Sequence, residues 1–456
     1  MKILVLGVNH AGTSAVRTIL ALDGNKQHEV VVYDRQKSIS FLGCGIALSV
    51  SGVVKEATDL FYCNPQKLKL MGGNINTGYE ILNVDIKNKK VLVENIATKE
   101  QKTETYDKLI YALGSHPIPS NAENSHLKNV IVCKTYADSI ELKRDGLDDN
   151  IKTIAIVGAG YIGIELAEAF VKKGKKVHII EMNDRILANN TDSEIAHVLQ
   201  GELIKNGIEL NLNQKVIKYS SKDGKLSQVT TDKETFDIDL VIESIGIKPN
   251  TSIIDGLEKI SNGAIKVDNK SRSLSDPNIY VLGDAAAIYF ASSKQFQNIA
   301  LATTAVKTGI VSAADIMGID PISLDSVTGT NALCVFNKKI ATTGLTHVQA
   351  KHLGMNAGEI YFEDNDLPEW MGTVEKVAIK LVYDLDNMKL LGAQILSYDK
   401  NNHSEWILAL SLSIQQGLTL FQIATSDVYF LPHLNKPFNF VLSAILKVLG
   451  LNYFEE

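Results

Sequence analysis

A chain of 456 residues has the length of about three domains. With 45% hydrophobic and 21% charged residues it has the balance of an ordinary globular protein. A net charge of −6, without a long Lys/Arg run, argues against a nucleic-acid partner. The four cysteines, Cys44, Cys63, Cys133 and Cys334, lack metal-ligand spacing, so no metal is expected, and their scarcity favours a reducing cytoplasm over a disulfide framework.

The opening apolar run, Lys2 to Leu6, is short and soon meets Asn9, His10 and Arg17, which predicts a first β-strand rather than a signal peptide. It enters a glycine turn, GVNHAG from Gly7 to Gly12, followed by a helix from Thr13 to Leu22 and a strand from Glu29 to Asp34. Val84 to Tyr106 alternates and is β-branched, as a small antiparallel insertion would be. Tyr106 to Ser115 reads as a buried strand ending in a turn.

The strand–helix–strand design returns from Thr153 to Glu181, with the turn GAGYIG from Gly158 to Gly163 and a helix from Ile164 to Lys173. Asp239 to Gly246 repeats the strand-and-turn of the first unit, and Asn278 to Asp284 is another strand running into a glycine. After about residue 327 the pattern changes. Ala332 to Phe336, Val377 to Tyr383 and Leu391 to Leu396 read as strands of one sheet, and Glu405 to Gln416 as a helix. Lacking a glycine fingerprint, this region is expected to serve structure or subunit contact. The most apolar stretch, Phe438 to Phe454, carries Asn439, Ser443 and Lys447 and falls short of the roughly 20 residues that span a bilayer, which predicts a packed terminal helix and no membrane partner.

The fold expected is therefore α/β, with two interleaved Rossmann-like dinucleotide-binding domains and a C-terminal α+β domain. The boundaries expected are 1–117 with 247–326, 118–246, and 327–456.

A glycine turn between strand and helix lets backbone approach a pyrophosphate, towards which the helix aims its N–H groups and positive dipole end. Asp34 and Glu181 close the next strands, about 20 residues on, where an acid reaches a ribose hydroxyl. The first turn carries Asn9 at its middle glycine position. Glu181 also repels a 2′-phosphate, favouring NADH over NADPH, although Arg185 is near.

Cys44 lies after a glycine and before an apparent helix, a setting that favours a thiolate but also suits a small buried hydrophobe. Cys63, Cys133 and Cys334 have no comparable setting and read as buried hydrophobes. No second cysteine follows Cys44, so no local disulfide forms, and a solitary thiol cycles instead through sulfenic acid or a mixed disulfide. His10, inside the first turn, suits either proton handling at the reacting centre or a polar cap on the helix.

These motifs resemble the single-cysteine branch of the FAD-dependent pyridine nucleotide–disulfide oxidoreductases, which includes water-forming NADH oxidase, NADH peroxidase and coenzyme A disulfide reductase. The likeness spans essentially the whole chain. It rests on Gly7 to Gly12, Ser40 to Gly45 (SFLGCG), Tyr106 to Ile110, Gly158 to Glu165, Gly283 with Asp284, Ile299 to Thr303, and Phe430 to Pro437 (FLPHLNKP).

The resemblance implies FAD on the first unit, with Gly7, Asn9, His10, Ala11 and Gly12 at the turn and Asp34 with Arg35 at the ribose. It places Cys44, Ala112, Leu113, Gly114, Ser115 and Lys134 around the flavin, Gly283 and Asp284 on the ribitol, and Ala300, Leu301 and Ala302 beside the ring. NADH falls to Gly158, Gly160, Tyr161, Ile162, Gly163, Glu165, Glu181 and Gly246, with Tyr161 moving aside for nicotinamide. The C-terminal domain becomes a homodimer interface that brings Phe430 and His433 to the partner subunit's flavin.

The activity implied is an NADH oxidase reducing dioxygen to water through a Cys44 thiolate/sulfenic acid cycle aided by His10. NADH peroxidase, coenzyme A disulfide reductase and a flavin redox sensor are the alternatives. Within the branch the resemblance sets His10 with the oxidase and peroxidase against coenzyme A disulfide reductase, and the segments Leu60 to Tyr62 and Leu431 to His433 with the oxidase against the peroxidase. Two departures touch the flavin environment: Leu113 replaces the family's threonine, and Ser49-Val50-Ser51 stands where a bulkier residue is common.

Overall fold

Five parallel strands form the first sheet, in the order Ile279–Val281, Lys108–Tyr111, Lys2–Leu6, Glu29–Asp34 and Asn74–Thr77. Both faces of Lys2–Leu6 and Glu29–Asp34 are buried, which is why the two run as near-continuous apolar segments rather than alternating. The structure is a computed structural model and describes residues 1–451.

A second parallel sheet repeats the design: Ile208–Leu212, Lys176–Glu181, Thr153–Val157, Leu240–Glu243 and Val130–Val132. The fifth strand sits on opposite sides of the chain in the two sheets. For the second it comes before the glycine turn, at Val130–Val132; for the first it comes only after the whole second sheet, at Ile279–Val281. That exchange makes the two units interleave. Where the chain leaves and returns, Ser115–Pro117 pairs antiparallel with Ile247–Pro249, Ser115 opposite Pro249.

The insertion expected at 84–106 is a three-stranded antiparallel sheet that starts earlier, as Tyr79–Asp85, Lys90–Asn95 and Gln101–Thr105. Its counterpart in the second unit, Val216–Lys222, Lys225–Thr231 and Thr235–Asp237, was not anticipated. The helices of the two βαβ units are His10–Leu22 and Tyr161–Lys172. Both begin three residues before their predicted starts, because the glycine turn itself supplies the first helical turn.

The C-terminal sheet is antiparallel and holds the three predicted strands as Asn331–Val335, Lys376–Asp384 and Leu390–Ser397, with the unpredicted Lys338–Gly344 and Ala357–Asn365 completing it. Helix Trp406–Gln415 covers it, as does Phe440–Val448. The apolar stretch that contains the latter continues past residue 451, outside the described residues. Among the described residues no helix is long and apolar enough to cross a membrane.

The second unit docks on this sheet through ionic contacts. Lys380, fully buried in strand Lys376–Asp384, donates to Glu194 at 2.6 Å and sits 2.5 Å from Glu359. Asp192, which caps helix Ser193–Lys205, accepts from the Gln394 amide at 2.7 Å and from the His347 N–H. Removing one partner of a buried pair costs about 3–5 kcal/mol, but here the carboxylates are partly exposed (35% and 37% of their side chains). Lys380→Met is therefore expected to destabilise by about 2 kcal/mol, seen as a lower denaturant or thermal midpoint. An unaltered midpoint would mean that this tie contributes nothing to holding the unit in place.

Candidate active site

The two glycine turns are near-copies in three dimensions. A Cβ on Gly12 would stand 1.9 Å from the Gly7 carbonyl oxygen, and one on Gly163 would stand 2.2 Å from that of Gly158. Gly7 and Gly158 have φ of +87° and +103°, and a Cβ on either would strike a carbonyl oxygen, that of Ala112 at 2.5 Å or of Ser244 at 2.6 Å. The middle position needs no such freedom: φ is −93° at Asn9 and −79° at Gly160, so the backbone accepts Asn9.

The acids brace these turns. Asp34 accepts the Val8 N–H at 2.7 Å and the Gln36 N–H at 2.7 Å. Glu181 accepts the Ala159 N–H at 2.8 Å, and its other oxygen takes two bonds from Asn183. Burial pushes the Asp34 carboxyl up against these bonds. Neither helix has a side-chain cap or an acid in its first turn, and a Cβ on Gly160 would meet nothing within 4 Å. Uncapped N–H groups are what a pyrophosphate requires, so both turns fit a dinucleotide, and the second has open space at Gly160.

Arg35 is exposed and lies 3.3 Å from Glu80. Arg185 is engaged by Asp184 at 3.0 Å and by the Ala188 carbonyl at 3.3 Å. Gly246, with φ of +133°, follows the second sheet as Gly114, with φ of +64°, follows the first.

Ser115, Lys134 and Asp284 converge although each comes from a different part of the chain. The Ser115 hydroxyl donates to Asp284 at 2.6 Å, and the Lys134 ammonium donates to Ser115 at 2.8 Å and to Asp284 at 3.2 Å. The turn Ala112 to Ser115 is held by Asn250, whose amide donates to the Leu113 carbonyl at 2.8 Å. Gly283 packs between Ala11 and Ala305, drawing the helix Ala302–Ile316 against His10–Leu22. The start of the later helix, where Ala300, Leu301 and Ala302 lie, thereby comes beside the first turn.

Cys44 is exposed, in a single 3-10 turn, Gly43–Gly45, ahead of the short helix Ile46–Ser51. The buried-hydrophobe alternative therefore fails for Cys44. It holds for Cys63 and Cys133, and not for Cys334, which is exposed. The turn is pinned from both sides: a Cβ on Gly45 would strike Leu60 at 2.2 Å, and one on Gly43 would press on the Lys134 carbonyl at 3.3 Å.

The surrounding protein does not lower the thiol. Although solvent reaches it, the protein packed around it partly desolvates the thiol and pushes it up; the Glu165 carboxylate adds to this, and the Lys134 ammonium opposes it. A helix of six residues brings too small a dipole to reverse those effects. Glu165 itself is pushed up to about 7, first by burial and then by Glu168.

His10 is the first residue of its helix and not its cap, which is Asn9. Burial lowers its pKa; Asp284 opposes this and Lys134 adds to it. The same two residues act on Cys44, so the thiol and the imidazole occupy one electrostatic site. Tyr62 donates to or accepts from His10 Nδ1 at 2.9 Å, a contact the sequence did not announce.

Tyr161 crosses to the C-terminal sheet, where its hydroxyl donates to the Asn331 side chain, which also accepts from Thr342 at 3.1 Å. Beside them, Asn189, Gln297, Ile299 and Gln349 help line a cavity of about 330 Å³. Ile162 is exposed. Phe430 is not brought to this site in its own chain; it lines an apolar groove with Pro368, Trp370, Pro437 and Phe438.

Residues 1–309 match the family model described as pyridine nucleotide-disulphide oxidoreductase, and residues 330–439 match that family's dimerisation domain. The chain belongs to the pyridine nucleotide-disulphide oxidoreductases. Among its relatives, a Mycoplasma pneumoniae protein named NADH oxidase is 45% identical, covering 99% of this chain and 98% of that one. An Enterococcus faecalis NADH oxidase is 38% identical over 97% and 98%. The solved water-forming NADH oxidase from Lactobacillus brevis, bound to NADH, superposes with a TM-score of 0.94 at 35% identity, covering 99% of this chain and 98% of that one.

Replacing Glu165 with Gln removes the charge that opposes the thiolate. The pH midpoint of Cys44 alkylation by iodoacetamide is expected to move down in that variant. A midpoint equal to the wild type's would show that Glu165 does not act on the thiol.

Proposed function

We propose that this protein is an FAD-dependent NADH oxidase that reduces dioxygen by four electrons to water, with Cys44 as the redox-active thiol. The observation that carries the reading is the exposed Cys44 sharing the Lys134–Asp284 pair with His10, beside the first of two nucleotide turns. On this reading residues 1–117 with 247–326 hold FAD, 118–246 hold NADH, and 327–456 form the dimer contact. Bound FAD supplies the two-electron relay between nicotinamide and dioxygen.

The Gly7 to Gly12 turn and the Ser115–Lys134–Asp284 cluster hold that group, with Asp34 near its ribose. The Gly158 to Gly163 turn and Glu181 hold NADH, and Tyr161 leaves its bond to Asn331 to admit the nicotinamide. Overall, two NADH, one dioxygen and two protons give two NAD⁺ and two waters. Hydrogen peroxide is the two-electron stage. Cys44 sulfur takes one oxygen atom from it and becomes a sulfenic acid, and the other oxygen leaves as water. The second NADH then restores the thiol, releasing the second water.

The match to a dimerisation domain supports a homodimer, as do the exposed apolar side chains Leu408, Leu412, Phe421, Tyr429, Phe430 and Leu434. In that assembly Phe430 and His433 face the partner's flavin. The four free cysteines suit a reducing cytoplasm.

The wild-type enzyme is expected to consume two NADH per dioxygen without releasing peroxide. Cys44→Ser is expected to consume one NADH per dioxygen and release one hydrogen peroxide. A serine variant that kept the wild-type ratio, free of peroxide, would remove Cys44 from the chemistry.

A further inference from the structure

Residues 60–63 form a strap joining the thiol turn to the imidazole. On one side, the Leu42 N–H donates to the Leu60 carbonyl at 2.9 Å, Phe41 bridges Phe61, and the Ser40 hydroxyl exchanges bonds with the Cys63 backbone at 2.7 Å. Leu60 also packs on Gly45, leaving no room for a side chain there. On the other side, Tyr62 lies nearly parallel to His10, with ring centroids 5.6 Å apart and planes 7° off, and its hydroxyl reaches Nδ1 at 2.9 Å. The Nε2 atom of His10 makes no hydrogen bond within the described residues.

Which atom holds the proton follows from the chemistry of the pair. Burial lowers the pKa of His10, so its imidazole is neutral near pH 7, with one nitrogen carrying hydrogen and the other free to accept. Tyr62 is pushed up to about 12 and stays a phenol, a stronger donor than a neutral imidazole N–H.

We propose that Tyr62 is a positioning residue: its O–H donates to His10 Nδ1, fixing the proton on Nε2, and Nε2–H then binds the departing oxygen of peroxide at Cys44. This rests on the oxidase reading and names the group that orients its acid. In the step served, Cys44–SH and H₂O₂ give Cys44–SOH and H₂O. An S–O bond forms and the O–O bond breaks; sulfur is oxidised by two electrons and the departing oxygen is reduced. The thiol proton leaves on that oxygen as water. The Nε2–H bond stabilises the charge that gathers on the oxygen as it departs, and the imidazole remains neutral throughout.

Tyr62→Phe keeps the ring and removes the hydroxyl. One lost hydrogen bond of about 1 kcal/mol corresponds to a roughly fivefold fall in the rate at which peroxide oxidises Cys44, read by dimedone trapping and mass spectrometry on the reduced holoenzyme. Phenol donation to Nδ1 stabilises neutral imidazole, so the variant's His10 is expected to regain part of its lowered pKa. This is read without turnover, as an upward shift in the pH midpoint of its modification by diethylpyrocarbonate. Asp284 and Lys134 also face His10 and are unchanged in the variant.

In His10→Asn, adding Tyr62→Phe is expected to slow trapping no further. Additive losses, or an unmoved His10 midpoint in Tyr62→Phe, would overturn the proposal. So would wild-type trapping by Tyr62→Phe while Cys44→Ser releases peroxide, a result that leaves the oxidase reading intact. If Cys44→Ser keeps the four-electron ratio, it is that reading which fails.

Discussion

The structure depends on a bond made twice, between an acid at the end of one strand and the backbone N–H just past the first glycine of its neighbour. Asp34 makes it to Val8 and Glu181 makes it to Ala159. Each bond holds a turn so tight that a side chain at Gly12 or Gly163 would overlap a carbonyl. The helix is thereby forced to start directly off its strand, with its N–H groups turned towards open space. Because His10 is the first helical residue, that turn also fixes where its imidazole meets Tyr62.

Around this point the interleaved path matters more than any single element. His10, Cys44, Tyr62, Ser115, Lys134 and Asp284 come from six separated stretches. They meet because the chain leaves the first sheet at Ser115–Pro117, builds the second, and returns to add Ile279–Val281. The site so formed is only partly desolvated, yet its groups lean towards their neutral forms. Thiol and carboxyl are pushed up and imidazole down, all chiefly by burial. A site of that kind delivers protons through orientation and hydrogen bonding rather than through a standing pair of charges.

The C-terminal domain contributes position. Its sheet receives the Tyr161 hydroxyl on Asn331 and the Glu194 carboxylate of the second unit on Lys380. The second unit is therefore tied to side chains far away in sequence. The apolar segment around Phe430 has no place in its own chain's site, which is intelligible if the site is completed across a dimer.

Much of this could be read from the chain because the signals are local. Apolar runs of strand length, glycines at fixed spacing and an acid about 20 residues on specify two nucleotide units, and a cysteine without a neighbour excludes a local disulfide. The strands Lys338–Gly344 and Ala357–Asn365 escaped notice because charged and hydroxyl residues interrupt their apolar alternation. What only the tertiary structure decided were the relations between distant residues. The position before a helix suggested an acidic thiol, but burial and Glu165 set the opposite direction. Tyr62 marked a family segment in the sequence, but its contact with His10 came only with folding. Backbone geometry is fixed by near neighbours and so is written in the sequence. Proton affinity and side-chain orientation are fixed by whatever charge, cavity or hydroxyl the fold brings alongside.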